Sequence, residues 1–186
     1  MLFIISLLAA IAAYFVYRNA KKRFNKPESN FALVGLVVAS FIAVSQFWTI
    51  IPAGHTGVVD FLGYVSDGTL KPGVNLVNPM ANVEKMSIKT QELKEVMNVP
   101  SEEGLGVELE ISLLFRLDSD KANDIYKTVG PNYVEIILVP QFRSVVRGVT
   151  ARYEAKALYT ASREKLAGEI VTELEKLVGP RGITIE

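Results

Sequence analysis

The chain has 186 residues, with 20 lysines and arginines balancing 20 aspartates and glutamates, one histidine, no cysteine and 49% hydrophobic residues. That length suits one ordinary domain plus something small, and a zero balance argues against a nucleic-acid binder, which needs a basic excess gathered on one face. The lack of cysteine excludes a disulfide framework, a thiolate metal site and a thiol nucleophile.

Two apolar runs come first in the chain. Leu2 to Tyr17 spans sixteen residues broken only by Ser6, and Phe31 to Ile51 spans twenty-one. A helix crossing roughly 30 Å of hydrocarbon needs about 20 such residues. The second run therefore predicts a transmembrane helix over 31–52, ended by Pro52 and Gly54, with Trp48 at its interfacial end. The first run reaches only about 24 Å, so it either spans with local thinning of the bilayer or dips in and packs against the second. A cleavable signal peptide carries its basic residues before the apolar run. Here Arg18, Lys21, Lys22, Arg23 and Lys26 follow it, against a single Glu28.

Short connections rich in lysine and arginine stay in the cytoplasm. The expected organisation is a first apolar segment and cytoplasmic loop over 1–30, a transmembrane helix over 31–52 and an outer domain over 53–186 on the periplasmic or lumenal side. Residues 1–52 hold five basic and one acidic side chain, leaving fifteen against nineteen in the other 134, a balance of minus four. A mildly acidic domain is not held to anionic lipid by a general basic surface.

Within that domain, Thr56 to Leu62 reads as a strand closed by Gly63, and Asp67-Gly68, Lys71-Pro72-Gly73 and Asn78-Pro79 as turns. Val83 to Thr90 alternates. The clearest strand runs from Val107 to Leu117: the odd-numbered positions point Val107, Leu109, Ile111, Leu113, Phe115 and Leu117 one way, while Glu108, Glu110, Ser112 and Arg116 point the other. A one-sided sheet needs a cover, and the helical patterns downstream supply it. Asp120 to Thr128 is a short helix stopped by Gly130-Pro131. Tyr133 to Val149 is helical with a break near Pro140. Thr160 or Ser162 caps a third helix with Leu166, Ile170, Leu174 and Leu177 on its apolar face, ending at Gly179-Pro180. Ile183-Thr184-Ile185-Glu186 begins another strand, so the sequence is expected to belong to a longer protein. The fold class is α+β, an antiparallel-rich sheet with covering helices preceded by one or two N-terminal transmembrane helices.

Motifs that carry chemistry are missing. His55, in a Gly-His-Thr-Gly turn, is the one histidine available to a Ser-His-Asp site, and no ligand cluster accompanies it, so it reads as structural or interfacial. Asp118-Ser119-Asp120 with Asp124 resembles a calcium loop only briefly, since Asn123 stands where glycine is required and Val129 where the bidentate glutamate belongs. Gly104-Leu105-Gly106 lacks the third glycine of a dinucleotide loop. Glu108 and Glu110 share a strand face, which is the solvent face of a sheet far more often than a catalytic pair. Arg143 and Arg147 lie four apart on one helix face, either solvated or facing acidic groups of a neighbouring copy. No catalytic, cofactor or metal site is expected; a membrane hydrolase would have to rely on His55 or the two glutamates.

One resemblance runs through the whole outer domain. Ile51-Pro52-Ala53-Gly54-His55-Thr56-Gly57-Val58-Val59, then Gly63-Tyr64-Val65-Ser66-Asp67-Gly68-Thr69-Leu70-Lys71-Pro72-Gly73, Asn78-Pro79 and Lys89-Thr90-Gln91 resemble the opening of prohibitin-like proteins. Pro140, Arg143, Val146-Arg147, Ala151, Tyr159, Arg163 and Gly182-Ile183 resemble the second half of the same domain, in the order of the stomatin, prohibitin and flotillin (SPFH, band 7) superfamily. The resemblance implies a non-enzymatic scaffold whose copies assemble into rings or cages on a membrane, organise microdomains and associate with membrane-bound AAA proteases. It also implies a long coiled-coil helix after Glu186 and a hydrophobic loop on the membrane, here Leu76, Val77, Pro79 and Met80 beside Trp48. Candidate subunit contacts are Arg143, Arg147, Arg163, Glu108 and Glu110. Expected partners are further copies, the bilayer and a protease, with no nucleic acid and no cofactor. A membrane regulator that docks a protease or transporter without caging it is the alternative. With no transit-type leader, a bacterial inner membrane or a thylakoid membrane is the expected location.

Overall fold

The computed structural model describes residues 2–22, 26–159 and 163–186. Two helices come first, α1 (Leu2–Lys22) and α2 (Lys26–Ser45). They pack antiparallel, because the start of α1 meets the end of α2: Phe3 and Phe47 stack edge-to-face at 5.8 Å, and Gln46 Nε2 donates to Ser6 Oγ at 3.2 Å. Small residues, Ser6 and Ala43, are buried in this hairpin, as close helix approach requires. Its outward faces carry exposed Ile5, Leu8, Phe15, Val34, Val37 and Phe41.

The helix expected over 31–52 is shorter than its hydropathy suggests. Its apolar part ends at Ser45, and Trp48–Ile51 leaves the helix as strand β1, paired antiparallel with β4 (Gly73–Leu76). Trp48, Thr49, Ile50 and Ile51 are aromatic or β-branched, the residues that suit a pleated surface once a partner strand exists. Fifteen apolar helical residues reach only about 22 Å. Among the described residues no helix is long and apolar enough to cross a membrane.

The rest is α+β with three small antiparallel sheets. Besides the β1–β4 ribbon, β2 (His55–Phe61) lies between β3 (Tyr64–Leu70) and β5 (Asn82–Ser87). β7 (Gly106–Leu117) lies between β6 (Gln91–Pro100) and β8 (Ile183–Ile185). The period of two in β7 is real: Val107, Leu109, Leu113, Phe115 and Leu117 are buried and Glu108, Glu110, Ser112 and Arg116 exposed. β6 was not apparent from periodicity, because Gln91 and Glu95 occupy inward positions alternating with Leu93, Met97 and Val99.

Helices cover this sheet. Asp118 Oδ1 accepts the Asp120 N–H at 3.0 Å and opens the turn into α3 (Ala122–Thr128). The break expected near Pro140 takes the form of a wide helical turn over Val134–Leu138, in which the Val139 N–H reaches back to the Val134 carbonyl, followed by α4 (Val139–Thr150) with Pro140 in its first turn, where a missing N–H costs nothing. In α5 (Arg163–Val178) the buried positions are Leu166, Ile170, Leu174 and Val178. Leu177, expected in the core, is exposed, because a repeat of four carries the face to 178. The expected caps Thr160 and Ser162 lie outside the described residues.

Candidate functional site

The ribbon made by β1 and β4 gathers most of the residues expected at a membrane. Its register sets Trp48 opposite Leu76 and Ile50 opposite Val74. Side chains directly opposed across an antiparallel pair share a face, so these four form one apolar patch. They are 52%, 71%, 66% and 69% exposed in the order just named. Contiguous apolar surface on that scale marks an interaction site. Sequence reasoning misses Ile50 and Val74, because 31–52 reads as one helix; the alternation of Trp48 and Ile50 on one side with Thr49 and Ile51 on the other is the available signal.

The opposite face of the ribbon is anchored. Ile51 is buried and its Cδ1 lies where a Cβ on Gly57 would be, 2.8 Å from it, so the ribbon packs directly on the backbone of β2. At the other end, the Val77 N–H donates to the Phe47 carbonyl at 2.8 Å, tying the β4–β5 loop to the foot of α2. Within that loop Met80 is exposed, and Val77 and Pro79 are half-buried. Asn78 Oδ1 accepts the Met80 N–H at 3.0 Å, which shapes the turn. A cleft of about 440 Å³ separates the ribbon from β5 and is rimmed by Gln46, Thr49, Asn78 and Lys85. The apolar patch thus sits on a ribbon whose adjoining loop is hydrogen-bonded to the foot of the apolar hairpin.

The expected subunit contacts lie elsewhere, on α4, α5 and β7. Arg143, on α4, donates from Nε and from a terminal nitrogen to Glu95 Oε2 at 3.0 and 2.9 Å, so it ties α4 to β6 within the chain. Glu95 supplies an acidic partner within the chain, and its side chain is only 15% exposed. Arg147 is exposed. Arg163 opens α5, with its side chain outside the described residues. Glu108 and Glu110 stand on the open face of β7, where Glu110 pairs with Lys94 across the strands.

That Lys94 hydrogen bond, followed by the lysine's charge, holds the Glu110 carboxyl below the usual glutamate range and lifts Lys94 above its own. A depressed carboxylate contributes stability above its unfolded pKa and loses it as pH falls through the folded value. Lys94→Met is expected to move the Glu110 carboxyl titration upward toward that of an ordinary glutamate by NMR; an unmoved titration would dismiss the pair. His55 Nδ1 lies 3.3 Å from the Ala53 carbonyl in its turn, and among the described residues no group of histidines and carboxylates could hold a metal ion.

A family model described as SPFH domain / Band 7 family matches residues 49–186. The chain belongs to this family, whose members are generally membrane-associated scaffolds without enzymatic activity. The match takes in nearly all of the ribbon and leaves the α1–α2 hairpin outside it. No curated protein matches the chain.

Proposed function

We propose that this protein is a membrane-anchored, non-enzymatic scaffold whose copies assemble into rings or cages that organise membrane microdomains and associate with a membrane AAA protease. The observation that carries the reading is the exposed apolar ribbon, whose adjoining loop is hydrogen-bonded to the foot of an apolar helical hairpin. A surface of that kind is costly in water and stable against lipid. The Val65-Ser66-Asp67-Gly68-Thr69-Leu70-Lys71-Pro72-Gly73 segment supports a prohibitin-like member of the family.

The hairpin enters the bilayer as a pair. Its apolar lengths of about 24 and 22 Å are shorter than ordinary hydrocarbon, so the bilayer thins around it. Lysine and arginine at that connection favour the cytoplasmic side and put the band 7 domain on the periplasmic or lumenal side of a bacterial membrane. A reporter active only outside the cytoplasm, fused after Gly63, is expected to be on. An inactive fusion overturns the orientation. Sizing of detergent-extracted full-length protein tests the assembly: a large homo-oligomer is expected, and a stable monomer at micromolar concentration rejects it.

A further inference from the structure

The turn between β2 and β3 is held in a conformation that its sequence does not favour. Phe61 pairs with Tyr64, so Leu62 and Gly63 are its two central residues, with φ of 53° and 87°. Two consecutive left-handed residues make the mirror-image turn that matches hairpin twist, and asparagine or aspartate followed by glycine fills it best, because a Cβ crowds that backbone. Leu62 is the one non-glycine residue with positive φ among the described residues. Its side chain is 79% exposed, beside Tyr64 at 67% and Phe61 at 37%. Folding therefore gains little from this leucine, which is strained in the backbone and unburied in the side chain. Asp60 Oδ1 accepts the Gly63 N–H at 2.9 Å and keeps the turn tight.

Connectivity puts the turn on the membrane side of the domain. β1 leads away from α2, the chain reverses where the His55 N–H donates to the Pro52 carbonyl at 3.2 Å, and β2 runs back toward the hairpin. The neighbouring strand agrees: Asn82, which follows Met80 and Ala81, pairs with Asp60. Residues 61–64 thus emerge from the same end of the sheet as Met80, whose loop is tied to the foot of α2.

We propose that Phe61-Leu62-Gly63-Tyr64 is a second lipid contact, in which Leu62 enters the headgroup layer and Phe61 and Tyr64 flank it as interfacial aromatics. With the ribbon as the first foothold, a second one sets the tilt of the domain against the bilayer. The inference rests on the membrane-anchored reading above. Lipid is favoured over a second copy of the chain because the turn leaves the sheet at the same end as the Met80 loop, which is hydrogen-bonded to the foot of the apolar hairpin.

The chain lacks cysteine, so one introduced thiol reports on one position. Full-length Leu62→Cys carrying an environment-sensitive fluorophore is reconstituted into phosphatidylcholine and phosphatidylglycerol vesicles. Its emission is expected to shift to the blue and to be quenched by shallow spin-labelled phospholipid. Lys89→Cys, at the far end of the sheet, is expected to remain water-like. A water-like label at 62 with a quenched label at Leu76→Cys overturns the second contact and leaves the anchored reading standing. Water-like labels at both positions overturn both. A blue shift without lipid quenching, growing with protein density, assigns the turn to a second copy and overturns the lipid contact. Leu62→Asn suits the backbone better, so it is expected to keep or raise the thermal midpoint while a label at Tyr64→Cys loses most of its quenching. Retained quenching in that variant counts against the proposal.

Discussion

Phe142→Ala is expected to cost about 3–5 kcal/mol, read as a lower denaturant midpoint of the detergent-solubilised chain at unchanged slope. Phe142 is fully buried on α4 and faces β7 and α5. It lines a cavity of about 260 Å³ beneath β7, together with Leu109, Leu113, Leu158, Leu166 and Ile170. Deleting the ring enlarges a space that already exists, and neighbours drawn from three elements cannot all relax into it. The end of α5 supplies an internal control. Val178 is fully buried and Leu177 is 48% exposed, so Val178→Ala should cost about 2 kcal/mol and the larger truncation Leu177→Ala under about 1. Equal costs would place the core face of α5 where the simple helical count first suggested.

Gly57→Ala is expected to release the ribbon from the domain while leaving the main core in place. A Cβ there would lie 2.8 Å from Ile51 Cδ1, 3.1 Å from Leu70 Cβ and 3.2 Å from Val83 Cγ1, contacts that three separate strands would have to yield to. Overpacking of this kind costs typically 1–3 kcal/mol. Hydrogen exchange locates the damage: amides of β1 and β4 should exchange faster, and those of β7 should not. Uniform loss of protection would show that the ribbon and the β6–β7–β8 sheet unfold as one unit.

The two variants probe parts of the chain that were unequally legible. β7 could be read directly, since a period of two over eleven residues, interrupted only by the outward Leu114, leaves one face to the core and the other to water. β6 is its hydrogen-bonded neighbour over ten residues and could not, because Glu95 sits on the inward side. A buried-side glutamate is tolerable only with a cation to meet it, and that cation is Arg143, 48 residues later on a helix. The partner of Arg143 is invisible in the sequence until α4 is laid on the sheet. At the candidate site, Leu76, Val77, Pro79 and Met80 follow from the family resemblance, and Trp48 from its place near the end of an apolar run. That Trp48 and Leu76 are neighbours, and that Ile50 and Val74 complete the patch, follows only from the register of β1 with β4.

Apolar patterning by itself determined the α+β class, the one-sided sheet around β7, the covering helices and the presence of a separate apolar N-terminal region with a basic connection. These are local properties, written in the spacing of side chains a few residues apart. Tertiary structure alone decided where α2 ends and β1 begins. Trp48–Ile51 is apolar enough for a membrane helix and branched enough for a strand, and hydropathy cannot choose between them. The choice came from hydrogen-bond partners at Gly73–Leu76, distant in sequence and supplied only when the chain folds back. With that choice, what reads in the sequence as the last turn of a single anchor becomes an exposed apolar ribbon next to it.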